Sequence, residues 1–292
     1  TKLRDVKADQ LLEVNQTSGQ EHHNEKPLQN FALSESKDIL DFTHQENNYN
    51  EYIDQPLLMR QYSQSGPCLA TADIDGKPGD EIFIGGSFNQ AGTIWFQDST
   101  GVFYPKQKLD SIYEDTDAIF IDVDNDKDLD LYVSSGGNEF YKNSPNYLDR
   151  LYLNDGQGEF TKSEKSLPEL FQNTGCVRAV DFDHDNDLDL FVGARVTALN
   201  YPETPESMLL INNNGSFSKQ PESDISRIGM VTDAIWVDID QDSWEDLIIV
   251  GEFMAITVFK NHQGELKKMP TTWVDEENHE ITTEGWWNCI KA

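Results

Sequence analysis

Basic residues are scarce in this sequence: 22 Lys and Arg stand against 53 Asp and Glu, and the formal net charge is −31. Such an acidic surface repels phosphate backbones, which argues against nucleic acid as a partner. Divalent cations and positively charged partners are its natural complement. Hydrophobic residues still make up 37% of the chain and aromatic residues 11%, so there are enough apolar side chains for a folded core.

Long apolar runs are absent. No stretch approaches the ~20 apolar residues that a membrane-crossing helix needs, so no transmembrane segment is predicted. The sequence opens with TKLRDVKADQ, which has neither an initiator Met nor the pattern of a signal peptide. We therefore expect a fragment or processed piece whose targeting signal is not included.

Cysteine is also rare. Cys68, Cys176 and Cys289 are an odd number at wide spacing, which is no disulfide framework, and no CxxC pair indicates a zinc site. We expect three free and largely buried thiols, in keeping with the usual burial of unpaired cysteine.

Signatures of catalysis are missing as well. The sequence has no GxSxG, no HExxH and no phosphate-binding glycine loop. The six histidines are scattered, and His184 lies at a variable position of an acidic stretch, where an exposed and inert role is expected. The pattern predicts a protein that is not an enzyme.

Aspartate, in contrast, is abundant and periodic. Four stretches have Asp at positions 1 and 3, Asp or Glu at position 9, and apolar or aromatic residues at positions 10 to 12. They are DIDGKPGDEIFI from Asp73, DVDNDKDLDLYV from Asp122, DFDHDNDLDLFV from Asp181 and DIDQDSWEDLII from Asp238. A repeat of roughly 50–60 residues is typical of a modular architecture.

The surroundings of each acidic stretch repeat too. A short apolar run precedes it, and a segment ending in a turn such as LNDGQGEF or INNNGSF follows the next strand. About four strands per repeat predict an all-β fold, a β-propeller of four-stranded antiparallel blades. The last residues, GWWNCIKA, fit the start of a fifth copy with Cys289 in the register of Cys68 and Cys176. We therefore expect an incomplete ring.

Alternating aspartates at positions 1, 3 and 5 are typical of calcium loops. A curled backbone brings these carboxylates, the carbonyl of position 7 and the acid of position 9 around one hard cation. We predict three to four calcium ions, held by loops 73–81, 122–130, 181–189 and 238–246. The candidate ligands are Asp73, Asp75, Gly79, Asp80 and Glu81; Asp122, Asp124, Asp126, Asp128 and Asp130; Asp181, Asp183, Asp185, Asp187 and Asp189; and Asp238, Asp240, Asp242, Trp244 and Asp246.

Two alternatives exist for these loops. An EF-hand requires Gly at position 6, Glu at position 12 and a following helix, and none of the four copies has them. Acidic turns that merely keep strand ends soluble are the other alternative, which four copies in register disfavour. The first loop is the weakest candidate, because Lys77 stands where an oxygen ligand is expected and Asp80 would have to substitute.

Four Asp-rich loops, each between two strands, resemble the FG-GAP (VCBS) repeats of integrin α-chain propellers and many secreted bacterial proteins. GGSF after Glu81 and GARV after Asp189 look like the glycine-containing strand ends of that motif. The resemblance covers roughly residues 60–292. It implies a calcium-binding module that is extracellular or exposed on an outer membrane.

A narrower resemblance concerns the first residues. LRDVKADQLLEVNQ looks like the end of an ASPIC/UnbV domain, an arrangement similar to large VCBS-repeat proteins of Bacteroidetes distantly related to cartilage acidic protein. The implied organisation is a domain tail at 1–16, a polar linker at 17–40 and a propeller fragment at 41–292.

The partner is an unknown protein or glycan, and the expected role is binding or adhesion. Trp95, Trp286 and Trp287 could stack on sugar rings, although burial between blades is the more usual fate of Trp. The alternative function is part of a carbohydrate-active enzyme, for example a polysaccharide lyase, because propellers can host such sites. Its candidate residues are His44, Arg60, Arg178, Arg195 and Tyr201.

Overall fold

A computed structural model describes residues 39–221 and 224–291, which belong to a unit that begins at Asp38. The predictions for the tail at 1–16 and for the linker as far as residue 38 lie outside these residues. Within them, the helical segments are two short 3₁₀ turns, Glu51–Ile53 and Pro145–Tyr147. No helix in the described ranges has the length and apolar character needed to cross a membrane.

Sixteen strands form four antiparallel sheets of four strands each. Sheet 1 contains β1 (Leu69–Ala72), β2 (Glu81–Ile84), β3 (Thr93–Gln97) and β4 (Phe103–Lys108). Sheet 2 contains β5 (Asp115–Ile121), β6 (Asp130–Ser135), β7 (Arg150–Asn154) and β8 (Phe160–Lys162). Sheet 3 contains β9 (Asn173–Val180), β10 (Asp189–Val196), β11 (Met208–Ile211) and β12 (Ser218–Lys219). Sheet 4 contains β13 (Met230–Val237), β14 (Asp246–Met254), β15 (Thr257–Asn261) and β16 (Leu266–Met269).

Three further strands follow sheet 4. β17 (Trp273–Val274) and β18 (Glu280–Ile281) form a small hairpin, and β19 (Gly285–Trp286) pairs with the far end of β14.

Within every sheet, each strand pairs with the next along the chain. This is the order predicted from the repeat, with the acidic loop between the first and second strands. The second strands β6 and β10 are buried along their whole length, whereas the fourth strands are largely exposed. The β-branched and aromatic residues of the second strands are therefore covered on both faces, as expected for blades that stack face to face.

Alternation along the second strands builds the core between sheets. In β6, Leu131 and Val133 pack toward sheet 1, and Tyr132 between them packs toward sheet 3. In β10, Leu190 faces sheet 2 and Phe191 faces sheet 4. The first strands β1, β5, β9 and β13 contact one another in chain order. The fold is thus an all-β propeller arrangement of four blades, as predicted from the repeat.

Polar bonds also join neighbouring first strands. Thr116 donates its hydroxyl to the Thr174 carbonyl at 2.6 Å, and the Val177 amide donates to Oδ2 of Asp117 at 3.0 Å. These bonds hold the beginning of β9 against β5.

The same pair of bonds recurs beyond sheet 4. Thr232 donates its hydroxyl to the Trp287 carbonyl at 2.8 Å, and the Ile290 amide donates to Oδ2 of Asp233 at 2.9 Å. Residues 287–290 therefore bond to sheet 4 as residues 174–177 bond to sheet 2. In this register Cys289 corresponds to Cys176.

Arg178 joins three consecutive blades. From β9 it donates to Oδ2 of Asp117 in sheet 2 at 2.7 Å, to Asp233 in sheet 4, and to the Ala234 carbonyl at 3.0 Å. The neighbouring carboxylates raise the pKa of the guanidinium against the opposing effect of burial. Arg178 is therefore a structural bridge.

All three cysteines are free. Cys68 and Cys176 are buried where the expectation placed them, and burial raises the pKa of both thiols. Cys289 is exposed, so the expectation of burial was wrong for this residue. Its segment packs on one blade, which leaves its other side open to solvent.

Candidate metal sites in the acidic loops

Each acidic loop connects the first and second strands of one sheet. Loop 1 is residues 73–81, loop 2 is 122–130, loop 3 is 181–189 and loop 4 is 238–246. Since the first strands of the four sheets lie side by side, the four loops lie at the same end of those strands.

Loops 2 to 4 share an unusual backbone. The fourth and sixth positions have positive φ, as shown by Asn125 (61°) and Lys127 (77°) in loop 2. The amide of the sixth position then points inward and donates to the carboxylate of the first; Lys127 N lies 3.0 Å from Oδ2 of Asp122. The corresponding donors in the other two loops are Asn186 and Ser243. This curl turns the alternating carboxylates toward one point.

The acid at position 9 fastens the loop to the sheet. Asp130 is buried; its Oδ2 accepts the Val123 amide at 3.2 Å and its Oδ1 accepts the Asn154 amide at 2.8 Å. Asp189 and Asp246 make the same two bonds in loops 3 and 4. Burial raises the pKa of Asp130, and likewise of Asp189, to about 6.

Carboxylate oxygens converge in all four loops. In each loop, three acidic residues have oxygens within 4.8 Å of one another. These groups are Asp73, Asp75 and Glu81; Asp122, Asp124 and Asp126; Asp181, Asp183 and Asp189; and Asp238, Asp240 and Asp246. A group of three carboxylates could hold a metal ion, and the all-oxygen donor set suits a hard cation.

Loops 2 and 3 have a further feature that a cation would satisfy. Oδ1 of Asp122 and Oδ1 of Asp181 are buried, and neither accepts a hydrogen bond from any residue in the described ranges. A buried carboxylate oxygen without a partner is costly. Burial and the adjacent carboxylates also raise the pKa of Asp124 and of Asp183, since the negative charges repel one another. The residues of loops 2 and 3 therefore fit a bound cation.

Loop 1 follows a different path. Pro78 at the sixth position has no amide hydrogen and cannot take positive φ, so the Gly76 amide reaches the first carboxylate instead, 2.8 Å from Oδ1 of Asp73. Nζ of Lys77 donates to Oδ2 of Asp75 at 2.6 Å, and this hydrogen bond raises the lysine pKa. The lysine thus turns toward the loop. Asp80, the suggested substitute ligand, is outside the group of converging oxygens.

Loop 4 also holds an ammonium group, which sequence reasoning missed. Lys260 on β15 donates to Asp240 and, at 2.9 Å, to Oδ2 of Asp242. The equivalent residues of sheets 2 and 3, one place before the asparagine that bonds to position 9, are Leu153 and Ile211. An alignment of the third strands would have revealed the substitution.

Position 7 was predicted to offer its main-chain carbonyl, with an unconstrained side chain. Asp187 uses its side chain to join loops: Oδ1 accepts from the Asn125 amide group at 2.5 Å, and Oδ2 accepts from the Asn214 amide at 2.6 Å. In loop 4, Trp244 stacks on His184 of loop 3 with ring centroids 3.8 Å apart. Loops 2 and 3, and loops 3 and 4, are therefore in direct contact.

Asparagines add a second connection between loops. The side-chain amide of Asn154 donates to the Ile74 carbonyl of loop 1 at 2.9 Å, and that of Asn212 donates to the Val123 carbonyl of loop 2 at 2.8 Å. Asn261 reaches Phe182 of loop 3 in the same way. The end of the third strand in sheets 2, 3 and 4 is thus bonded to the acidic loop of the preceding sheet.

The residues suggested for a polysaccharide-degrading site are partly brought together. Arg60 and Arg195 both contact Glu252, and Tyr201 packs on Tyr62 beside them. Arg178 lies elsewhere, in its bridge between carboxylates, as described above. His44 pairs instead with Glu46, with 2.8 Å between Nε2 and Oε1.

The three tryptophans named as sugar-stacking candidates differ in exposure. Trp95 is buried within sheet 1, Trp287 is half-buried, and Trp286 is exposed.

Comparison with known proteins supports the repeat. Residues 134–192 match the profile of the FG-GAP-like repeat, a stretch that includes loop 3. No curated protein matches the chain.

Two solved structures are similar in part. One is an Agrocybe aegerita lectin that recognises non-reducing terminal N-acetylglucosamine, with 16% identity, a TM-score of 0.45 and coverage of 74% of this chain and 51% of the lectin. The other is a Lactobacillus plantarum protein, with 11% identity, a TM-score of 0.45 and coverage of 75% and 70%. The chain thus spans about half the length of the lectin.

Proposed function

We propose that this chain is a calcium-binding β-propeller module of a secreted or cell-surface protein, and that it presents a surface for binding or adhesion to a protein or glycan. The observation that carries the calcium proposal is the pair of buried, unpartnered oxygens, Oδ1 of Asp122 and Oδ1 of Asp181, each within a group of converging carboxylates. A cation satisfies both the unpartnered oxygens and the mutual repulsion.

The proposed ligands follow the loop pattern. Loop 2 offers the carboxylates of Asp122, Asp124, Asp126 and Asp130 with the carbonyl of Asp128. In loop 3 the corresponding residues are Asp181, Asp183, Asp185, Asp189 and Asp187. A bound calcium ion supplies charge neutralisation and a fixed oxygen-coordination geometry. Each carboxylate oxygen of the position-9 acid accepts one backbone amide. These two hydrogen bonds hold the carboxylate facing the loop.

Loops 1 and 4 differ in that a lysine already bonds to some of their carboxylates. Lys77 bonds to Asp75, and Lys260 bonds to Asp240 and Asp242. An ammonium group on these oxygens competes with a cation of the same charge sign. We therefore refine the expected number of tightly held ions from three or four to two, in loops 2 and 3.

Calcium is favoured over other metals by the donor set. Carboxylate and carbonyl oxygens in a flexible loop suit calcium, which takes about 6–8 oxygen ligands, whereas zinc prefers nitrogen and sulfur. Extracellular calcium modules bind at about 10⁻⁴–10⁻³ M. The proposed extracellular or outer-membrane-exposed location predicts an affinity of that order.

The N-terminal LRDVKADQLLEVNQ motif supports the narrower assignment to VCBS-repeat proteins that carry an ASPIC/UnbV domain. A carbohydrate-active enzyme remains the second candidate function, because Arg60, Arg195 and Tyr62 cluster around Glu252. Release of unsaturated oligosaccharides from an acidic polysaccharide would establish it.

Calorimetric titration of the chelator-stripped protein with calcium tests the main proposal. We expect the titration to give two bound calcium ions per chain. For Asp122→Asn or Asp181→Asn we expect one bound calcium ion per chain. Asp155→Asn, in the turn that follows β7, is the matched control and should keep both. Absence of any calcium binding, or full stoichiometry in both loop variants, would refute the calcium assignment.

A further inference from the structure

A polar pocket lies at the opposite end of the first strands from the acidic loops. Its lining includes Thr116 and Thr232, near the beginnings of β5 and β13, and the side chains of Arg60 and Arg195. Its volume is about 370 Å³. We call it the arginine pocket. We propose that it binds the carboxylate of an acidic sugar, whose uncharged part extends toward the exposed aromatic pair Phe253 and Trp286, outside the pocket lining.

This inference deepens the binding role proposed above, and the charges of the pocket are its first support. Nη2 of Arg195 lies 2.6 Å from Oε1 of Glu252, and Nη2 of Arg60 lies 3.2 Å from the same oxygen. The hydroxyl of Tyr62 donates to the other oxygen of Glu252 at 2.7 Å. Two guanidinium groups thus share one carboxylate, which leaves one positive charge uncompensated within a chain whose net charge is −31.

An unused donor points to the kind of ligand. The Arg195 side chain is 8% exposed, and its Nη1 has no hydrogen-bond partner among the described residues. A buried guanidinium nitrogen normally finds an acceptor, and a carboxylate matches the fork of an arginine. The lining residues of the pocket include no Asp or Glu, and the carboxylate that both arginines contact is Glu252.

The aromatic rings form a continuous row beside these arginines. Arg60 and Arg195 lie over the Tyr62 ring, with 5.6 and 5.4 Å from the guanidinium carbon to the ring centroid. Tyr201 follows at 6.0 Å from Tyr62, and Phe253 at 6.4 Å from Tyr201. The row therefore leads from the charged pocket to the surface.

Trp286 ends the row, 5.1 Å from Phe253 in an edge-to-face arrangement. Phe253 is 59% exposed and Trp286 is 43% exposed, so both rings present apolar area to solvent. Aromatic rings of this kind commonly serve as platforms in ligand sites.

The backbone of Phe253 is strained in a way that presents its ring. Phe253 has a φ of 53° and lies at an irregularity of the β14–β19 pairing, between Glu252 and Met254. Positive φ is unfavourable for an aromatic residue, and strained residues cluster at functional sites. The irregularity turns an apolar ring outward directly beside Glu252, which organises the two arginines.

The remaining lining indicates a hydroxylated ligand. The hydroxyls of Ser65, Thr116 and Thr232 already donate to main-chain carbonyls, so they offer acceptor lone pairs to the hydroxyl groups of a ligand. The volume lies within the ~300–1,000 Å³ typical of small-ligand sites. A carboxylate, several hydroxyls and one apolar ring face are the features of a uronic acid.

Titration with sodium D-glucuronate, followed by calorimetry and by tryptophan fluorescence, tests the proposal. We expect binding near 1 mM, about 8-fold to 12-fold tighter than D-glucose or sodium acetate at the same ionic strength. Glucose binding as tight as glucuronate, or no glucuronate binding up to about 10 mM, would overturn it.

Variants separate binding from folding. Arg60 is 44% exposed, so Arg60→Gln should fold normally and weaken glucuronate about tenfold, whereas Arg227→Gln, outside the pocket, should have no effect. Phe253→Gly should weaken binding while leaving the melting temperature unchanged or higher, because glycine accepts positive φ. Tyr141→Ala, another exposed aromatic, is its control. Wild-type affinity in both pocket variants would refute the assignment.

The two proposals fail separately. Calcium binding and glucuronate binding are both measured on the wild-type protein. If the protein binds two calcium ions but no glucuronate, the proposal for the arginine pocket is refuted and the calcium proposal stands. If the protein binds glucuronate but no calcium, the calcium proposal is refuted and the arginine pocket stands.

Discussion

Nζ of Lys260 lies 2.9 Å from Oδ2 of Asp242, so the fourth acidic loop contains a cation of its own. The hydrogen bonds that Lys260 donates to Asp240 and Asp242 raise the lysine pKa, and Lys260 in turn lowers the pKa of Asp242. A lysine at this place means that a repeat which looks complete in sequence already has an ammonium group on two of its carboxylates. The four loops are therefore not equivalent.

Exchange of this lysine should change the number of bound ions. In Lys260→Leu, loop 4 regains free carboxylates, and we expect one additional calcium equivalent by calorimetry. In Leu153→Lys, an ammonium group enters the equivalent position of sheet 2, and one equivalent should be lost. Lys267→Leu, in the exposed pair with Glu265 of the same sheet, is the control. Unchanged stoichiometry in Lys260→Leu would show that the ammonium group does not exclude the metal.

Removal of metal should destabilise the fold. Each site that binds the folded state contributes about 2.7 kcal/mol at a free calcium concentration 100 times its dissociation constant. We expect the melting temperature to fall on chelation and to return with calcium but not with equal magnesium, which requires tighter octahedral geometry. Equal recovery with both ions would contradict the assignment of calcium.

Loss of Arg178 should loosen three blades together. Arg178→Met leaves Asp117 and Asp233 largely buried without their shared cation, and we expect a loss of about 2–3 kcal/mol in urea denaturation. Lys219→Met breaks the more exposed pair with Glu206 and should cost less than about 1 kcal/mol. Similar losses in the two variants would show that Arg178 is no more than a surface charge.

Stability should depend on pH through Glu114. Its Oε1 accepts the amides of Ser65 and Gly66 at 3.0 Å, and burial raises its pKa from 4.5 to about 8. Between pH 4.5 and about pH 8, Glu114 is protonated in the folded state and ionised in the unfolded state. Its contribution to the free energy of unfolding is therefore complete at low pH and disappears as pH rises toward 8. Wild-type stability should fall by about 2–3 kcal/mol between about pH 5 and pH 7 from this group.

The comparison that checks it is Glu114→Gln, which keeps the acceptor oxygen. This variant should show a flatter pH profile, whereas substitution of the exposed Glu164 should leave the profile unchanged. Parallel profiles for wild type and Glu114→Gln would assign the pH dependence to other groups.

The repeat made most of the fold predictable. Asp122, Asp181 and Asp238 mark the end of a first strand, and the apolar residues at positions 10 to 12 mark a second strand buried on both faces. Local spacing fixes both features, because the loop and its flanking strands are contiguous in the chain. Asp130 could be recognised as the recurring position-9 acid for the same reason.

Other features depend on which strands become neighbours. Lys260 lies 22 residues after Asp238 along the chain, and only the pairing of β14 with β15 brings it to the loop. Arg60 and Arg195 meet at Glu252 through the packing of the lead-in segment on sheets 3 and 4. Pro78 was visible in the sequence, but its effect on loop 1 was not. The structure shows that the amide of the sixth position donates to the first carboxylate, and a proline cannot make this bond.

The asparagine at the end of each third strand has a consequence for how the metal sites respond together. Asn212 bonds with its side chain to loop 2 and with its backbone to Asp189 of loop 3. When metal binding orders one loop, the neighbouring loop is partly ordered as well, and its own metal binding then costs less conformational entropy. This is positive cooperativity without a change of shape. We therefore expect the two ions to bind over a narrow range of calcium concentration. Loops 2 and 3 would then be either both empty and mobile or both occupied and ordered.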